Sequence, residues 1–317
     1  MIALWTSLAL AGPGFYHPDD IASASARFTE AGKVAGGTFE ARSRRAEDVA
    51  DALADYRLAL DLLGDTAPAD ERARLAELDK RYAREVAVLE RFAAAMMEDF
   101  DQEFTGALER ALKAHPGAKE CAAEVPIGRP LPGLPARTEK NPACVGDNLN
   151  AAVAAQIDAD ATLGKAVKEI LALKWPDITV EAAPQAAIGG GARWADPVAL
   201  MRAGAKASLA KIDHDDAEKR DAFAAAIEEG VSVEAKKKLL DDANALTAET
   251  ARRRAALAGP VLLAADAAAV KWAKKGEPPT GWCANPALLG ACGGDDATAT
   301  LVPRWLAAPK VQKALGQ

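Results

Sequence analysis

The sequence predicts an all-α protein built from long antiparallel helical hairpins packed as a bundle, with disulfide-closed loops rich in proline and glycine. Three observations predict it. Half of the 317 residues are hydrophobic but only 5% are aromatic, so alanine, the best helix former, carries much of the apolar content. Apolar residues recur at spacings of three and four over long stretches. Four cysteines, at 121, 144, 283 and 292, sit beside proline and glycine at the ends of those stretches.

The chain opens with an apolar run at 2–11 that ends in Ala9-Leu10-Ala11, a small-residue cleavage pattern. Residues 1–14 are therefore expected to be a signal peptide or an apolar N-terminal segment, and no other stretch approaches 18 uncharged apolar residues.

Pro18 with Asp19 and Asp20 marks a helix start. The stripe Phe28, Ala35, Phe39, Val49, Leu53, Tyr56, Leu60, Leu63 carries the helix to Gly64, with an interruption expected at Gly36-Gly37. Pro68, Asp70 and Glu71 start a second long helix. Its stripe runs from Leu75 and Leu78 through Leu89, Met96, Phe100 and Phe104 to Leu108, and His115-Pro116-Gly117 ends it. A turn of a few residues joins the two, which predicts an antiparallel hairpin.

The segment between Cys121 and Cys144 holds five prolines and two glycines, which excludes helix over most of it. Asp147 or Asn148 can cap the next helix (Leu149, Val153, Ile157), and a second short helix carries Leu163, Val167 and Ile170. The stretch 178–181 reads as extended, and Gly189-Gly190-Gly191 as a linker.

The order then recurs. Asp196-Pro197 starts a helix that ends at Gly230. Ser232 caps another bearing Leu239, Leu240, Leu246, Leu257, Leu262 and Val270, with a kink expected at Gly259-Pro260. Cys283 and Cys292 bracket a short loop, and two short helices follow, one with Val311. An internal duplication accounts for this order. Cys144-Val145-Gly146-Asp147 aligns with Cys292-Gly293-Gly294-Asp295, and Val167 with Val311. Two unrelated helical halves is the competing reading. The domains are expected at 17–176 and 196–317, joined by a linker at 177–195.

An even number of cysteines after an export-like start points to disulfides, paired locally as Cys121–Cys144 and Cys283–Cys292. None of the spacings suits zinc, and no histidine lies nearby. None of His17, His115 and His214 shows the Glu-x-x-His or His-x-x-x-His spacing of a helical metal site. Asp158, Asp160, Thr162 and Glu169 occupy positions 1, 3, 5 and 12 of a calcium loop, but the glycine falls one place late. The two aspartates read instead as a helix start stabilised by the dipole. The acidic clusters at 98–103 and 213–216 read as solvated helix faces. No catalytic, metal or cofactor site is expected.

The net charge of −7 and a pI near 5.2 argue against nucleic-acid binding. Together these features imply a non-enzymatic binding or structural module, periplasmic or secreted, whose partner is another envelope or secreted protein. A small-ligand-binding protein or enzyme with a pocket between helices is the first alternative. A membrane-active, pore-forming-like helical protein is the second, disfavoured because surface-binding helices are usually basic.

Overall fold

The computed structural model describes residues 14–121, 124–126, 138–140, 146–181, 191–228, 232–284 and 292–316. Ten α-helices and seven short strands lie in these residues. In chain order they are β1 (Phe15–Tyr16), α1 (Pro18–Ala24), α2 (Ala26–Leu63), α3 (Ala69–Leu112), β2 (Lys119–Glu120), β3 (Glu124–Pro126), β4 (Thr138–Lys140), α4 (Asn150–Ala159) and α5 (Ala161–Leu171). Then follow β5 (Arg193–Ala195), α6 (Pro197–Gly204), α7 (Lys206–Glu228), α8 (Val233–Ala273), β6 (Thr280–Trp282), β7 (Asp295–Asp296), α9 (Thr298–Leu306) and α10 (Pro309–Ala314). The protein is mostly helical. It divides into two compact units, one of residues 1–43 and 87–177, the other of 44–86 and 178–317.

In the first unit, Met96, Phe100 and Phe104 of α3 pack with Ile21 of α1, Ala31 and Ala35 of α2, Val153 and Ile157 of α4, and Leu163 and Val167 of α5. Phe28 and Phe104 pack as a tilted pair at 4.7 Å, and Trp175 closes against Phe92 at 5.1 Å. The predicted apolar stripes supply this core. The helix expected from Pro18 to Leu63 is nevertheless two helices, broken at Ser25. Ser25 Oγ accepts the Phe28 amide and donates to Asp158 at 2.6 Å, and Asp158 also accepts the amides of Ala26 and Arg27 at 3.1 Å. One carboxylate thus satisfies two of the free donors at the start of α2, and Ser25 a third. Burial alone would raise its pKa, but the bonds from Ser25 and the two amides hold it below the ordinary carboxylate value. Asp158→Ala is expected to lower stability by about 1–2 kcal/mol, the cost of a lost cap, read by urea unfolding.

The expected interruption at Gly36-Gly37 does not occur, and α2 runs through both. Both glycines are exposed with open space around them, so each costs only about 1 kcal/mol of helix propensity. Cys121 is buried and disulfide-bonded; its predicted partner, Cys144, lies outside the described residues, as does the 2–11 run. Within the Pro-rich segment β3 and β4 pair antiparallel, Val125 opposite Glu139.

In the second unit, Val49, Leu53, Tyr56, Leu60 and Leu63 of α2 are buried with Leu75 and Leu78 of α3. Leu200 and Met201 of α6, Val261 and Ala265 of α8, Trp305 of α9 and Val311 of α10 are buried too. The helix expected from Pro197 to Gly230 breaks at Ala205, which divides it into α6 and α7. In contrast, α8 continues through Pro260. The lost hydrogen bond is offset by burial of Ala258, Val261 and Leu262 on either side. Leu240 and Val270, expected in the core, are 58% and 55% exposed.

Short parallel strands, unseen in the sequence, close each unit. In the first, β1 lies beside β2 (Tyr16 opposite Glu120) and bridges to Asn148, both parallel. In the second, β5 lies between β6 (Ala195 opposite Trp282) and β7 (Trp194 opposite Asp296), again parallel. Matching bonds recur. Cys121 N–H donates to Tyr16 O at 2.8 Å and Cys283 N–H to Ala195 O at 3.1 Å. His17 N–H donates to Asn150 Oδ1 at 2.9 Å and Asp196 N–H to Thr298 Oγ1 at 3.0 Å. Asn148 accepts the Asn150 amide, and Asp296 the Thr298 amide, each at 2.9 Å. Of the two candidates at the start of α4, Asn148 is therefore the one whose side chain holds an amide of that helix, although the N-cap position itself falls to Leu149.

The stretch 178–181 is not a strand. Ile178 and Val180 are buried, and Thr179 is held by Glu85 and Arg81. Gly191, expected in a linker, is a close-contact position. A Cβ there would lie 2.4 Å from the Gly281 amide nitrogen, so only glycine admits the approach of β6.

Candidate functional site

The residues singled out by sequence take structural roles and do not converge. His17 occupies the N-cap position of α1, buried, its ring against the Cys121 carbonyl. His115 meets Gln156 at 3.1 Å, and His214 meets Glu218 one helical turn on. Asp160 caps α5 through the Leu163 amide at 2.8 Å and pairs with Arg110 at 2.7 Å. Its pKa falls below the ordinary value, chiefly through that arginine. The acids at 213–216 are matched: Asp213 to Arg254, Asp215 to Arg253, Asp216 to Arg220. Among the described residues no group of three or more His, Cys, Asp or Glu side chains is placed to hold a metal ion.

Cys283 and Cys292 are disulfide-bonded, with Cα atoms 6.2 Å apart, and pack against Trp194. The bond limits the unfolded chain, so reductant is expected to lower the melting temperature. Four titratable thiols in the native protein with an unchanged transition would contradict the assignment. Around this knot Trp305 lies 4.9 Å from Trp282 and 6.3 Å from Trp272, and the Arg304 guanidinium sits 4.0 Å over the Trp272 ring. Arg304 and Arg193 both hold Glu277 at 2.8–2.9 Å. Hydrogen bonds from Arg304 and then Arg193 keep its carboxyl down at about 2.

Among the described residues, one feature with the dimensions of a ligand site is a groove of about 700 Å³ in the second unit, within the range of small-molecule pockets. The turn after α2 forms one wall, one face of α8 another, and Trp282 an end. The turn is fixed by Gly64, whose φ of +55° suits glycine, and by Thr66 Oγ1 donating to Leu63 O at 2.6 Å. Leu62 and Leu262 form a buried floor, and Leu263 stands 70% exposed at the rim. Asp266 opens into this groove. Its Oδ1 accepts the Trp282 indole N–H at 2.7 Å, and the apolar surroundings raise its pKa. Sequence reasoning passed over Asp266. The signal was present, because it is the single acid in the otherwise apolar stretch 255–270.

A second cavity of the same unit, about 410 Å³, has aspartates and arginines in its lining. Asp61 and Arg254 pair there at 2.9 Å, Arg72 approaches Asp61 at 3.8 Å, and Thr250 donates to Asp216 at 2.6 Å. Every one of these charges has an opposite partner, so the cavity reads as a packed ion network.

No known protein family, curated protein or solved structure matches this chain.

Proposed function

We propose that the chain is a non-enzymatic helical binding module of the periplasm or secreted space, acting through contacts with another envelope or secreted protein. The observation that carries this reading is two exposed apolar pairs on α8. Val233 is 79% and Leu240 58% exposed, and Leu263 70% and Val270 55%. Each pair is seven residues apart, two helical turns, and so shares a face. Isolated exposed leucines are ordinary, but paired ones along one helix make a contact surface. The Cys283–Cys292 bond and the apolar 2–11 run support an oxidising, exported setting.

Antiparallel hairpins packed as a bundle are the framework of this proposal. Arg220 meets Thr247, Asp216 meets Thr250, and Asp215 meets Arg253. Residue numbers rise along α8 as they fall along α7, as antiparallel packing requires. Tyr56 with Glu71 and Arg57 with Asp79 join the other helix pair. An ancestral duplication giving halves 17–176 and 196–317 is supported by the matching strand and cap bonds. Those bonds align Leu163, rather than Val167, with Val311. Each lies three residues past its N-cap, Asp160 or Ala308, and each is fully buried.

A photocrosslinker at Leu240 or Val270 in the native envelope is expected to capture one discrete protein, and Leu240→Glu to abolish capture. Absence of any adduct would count against the reading. A second reading, small-ligand binding, is favoured by the groove beside α8. Membrane activity is the third. α8 is long and apolar enough to cross a membrane, with mean hydropathy 1.3 over 18 residues of which 28% are buried, although Asp266 and Lys271 interrupt its apolar part. Dye release from anionic liposomes would favour this third reading over the first.

A further inference from the structure

We propose that the groove beside α8 binds a small lipophilic organic cation, an ammonium or amidinium group carried on an apolar body; this rests on the ligand-binding reading above. The walls select the body. Leu62, Leu262 and Leu263 present aliphatic carbon and Trp282 an aromatic edge to a space of about 700 Å³.

The charges select the head group. Asp65 and Asp266 are the charged residues among the described lining, which contains no Lys, Arg or His. The polar network of the same unit gives the contrast, since each of its acids faces an arginine. Asp266 is differently placed. The Trp282 indole holds Oδ1 and fixes the carboxylate's direction, and no described residue bonds Oδ2. Partly shielded by apolar groups, the carboxyl is raised above its ordinary value, because that partial desolvation disfavours the ionised form. A cation at Oδ2 would supply the missing counter-charge. An anionic ligand of the same shape would meet two carboxylates and, with the indole N–H already given to Asp266, no free donor but backbone and hydroxyl.

The full chain should be titrated calorimetrically with hexyltrimethylammonium, hexan-1-ol and hexanoate, three probes with similar bodies and different heads. Hexyltrimethylammonium is expected to bind saturably, and Asp266→Asn to weaken it by about tenfold or more. The asparagine keeps an oxygen for Trp282, and Asp266 is exposed, so the fold should be retained; circular dichroism checks this. Leu263→Lys and Leu263→Glu remove the same apolar rim but differ in charge, and the lysine variant is expected to bind the cation more weakly than the glutamate variant. If hexanoate or hexanol binds as tightly, the groove is a ligand site but the cation proposal is overturned. If Asp266→Asn and both Leu263 variants bind like the native chain, the cation sits elsewhere and the proposal fails. If none of the probes binds, the ligand-binding reading fails with it.

Discussion

Replacing Arg254 with methionine is expected to destabilise the protein by about 3–5 kcal/mol, the range for breaking a buried ion pair from one side. Arg254 holds Asp61 at 2.9 Å and Asp213 at 2.8 Å, with side-chain exposures of 17% for the arginine and 9% for Asp61. Burial raises the Asp61 pKa even with Arg254 beside it. Without the guanidinium, only Arg72 at 3.8 Å remains within ion-pair distance among the described residues, and the carboxylate would have to protonate or draw in water. The pair is not optimal, because Arg254 Nε is buried without a hydrogen-bond partner. The double variant Asp61→Leu, Arg254→Met should therefore recover much of the loss, since an apolar pair of similar volume is often neutral. Urea unfolding of the four proteins of this cycle gives the coupling. A loss below about 1 kcal/mol for Arg254→Met would place the pair with ordinary surface bridges.

The second large effect is a pH dependence at Asp196. Burial pushes its carboxyl up to about 6, helped by the nearby Asp55 charge and opposed by the hydrogen bond from the Val198 amide. In the unfolded chain the group titrates near 3.8. The folded state thus holds the proton more tightly, so this group's stabilising contribution is complete below pH 4 and is lost as pH rises through 6. The difference amounts to roughly 3 kcal/mol at 1.36 kcal/mol per pH unit. Asp196→Asn keeps an oxygen for the Val198 amide and cannot ionise. Its stability relative to the native chain should rise by roughly 3 kcal/mol between pH 4 and pH 8. A difference independent of pH would show that Asp196 is hydrated in the folded protein.

What the sequence made legible follows from the range of the forces involved. The starts of α3, α5, α6 and α8 were visible because Pro68, Asp160, Pro197 and Ser232 act within one turn of their own positions. The stripe Met96, Phe100, Phe104 was visible because burial follows the helical period. The break at Ser25 was not, because its cause, Asp158, lies 133 residues away. Strands of two or three residues show no alternation that a reader could detect. Gly191 looked like a linker because a close approach and a flexible joint both favour glycine. The groove beside α8 was hidden for a related reason: its walls come from 62–66, 255–273 and 279–282, and only the single acid in an apolar run hinted at it.

The position of β5 also bears on how the chain must be made. β5 is the middle strand of its ladder, yet Arg193 bonds Thr280 across 87 residues. The stretch 44–86 belongs with 178–317, while 87–177 belongs elsewhere. A chain emerging from its N-terminus can therefore complete the first unit once residue 177 is out. The apolar residues of 44–86, among them Val49, Leu53, Leu60 and Leu75, must wait for the rest of their unit, 178–317, to be made. Closing contacts of such separation is slow, and that waiting interval is when the chain is most open to aggregation or to a chaperone.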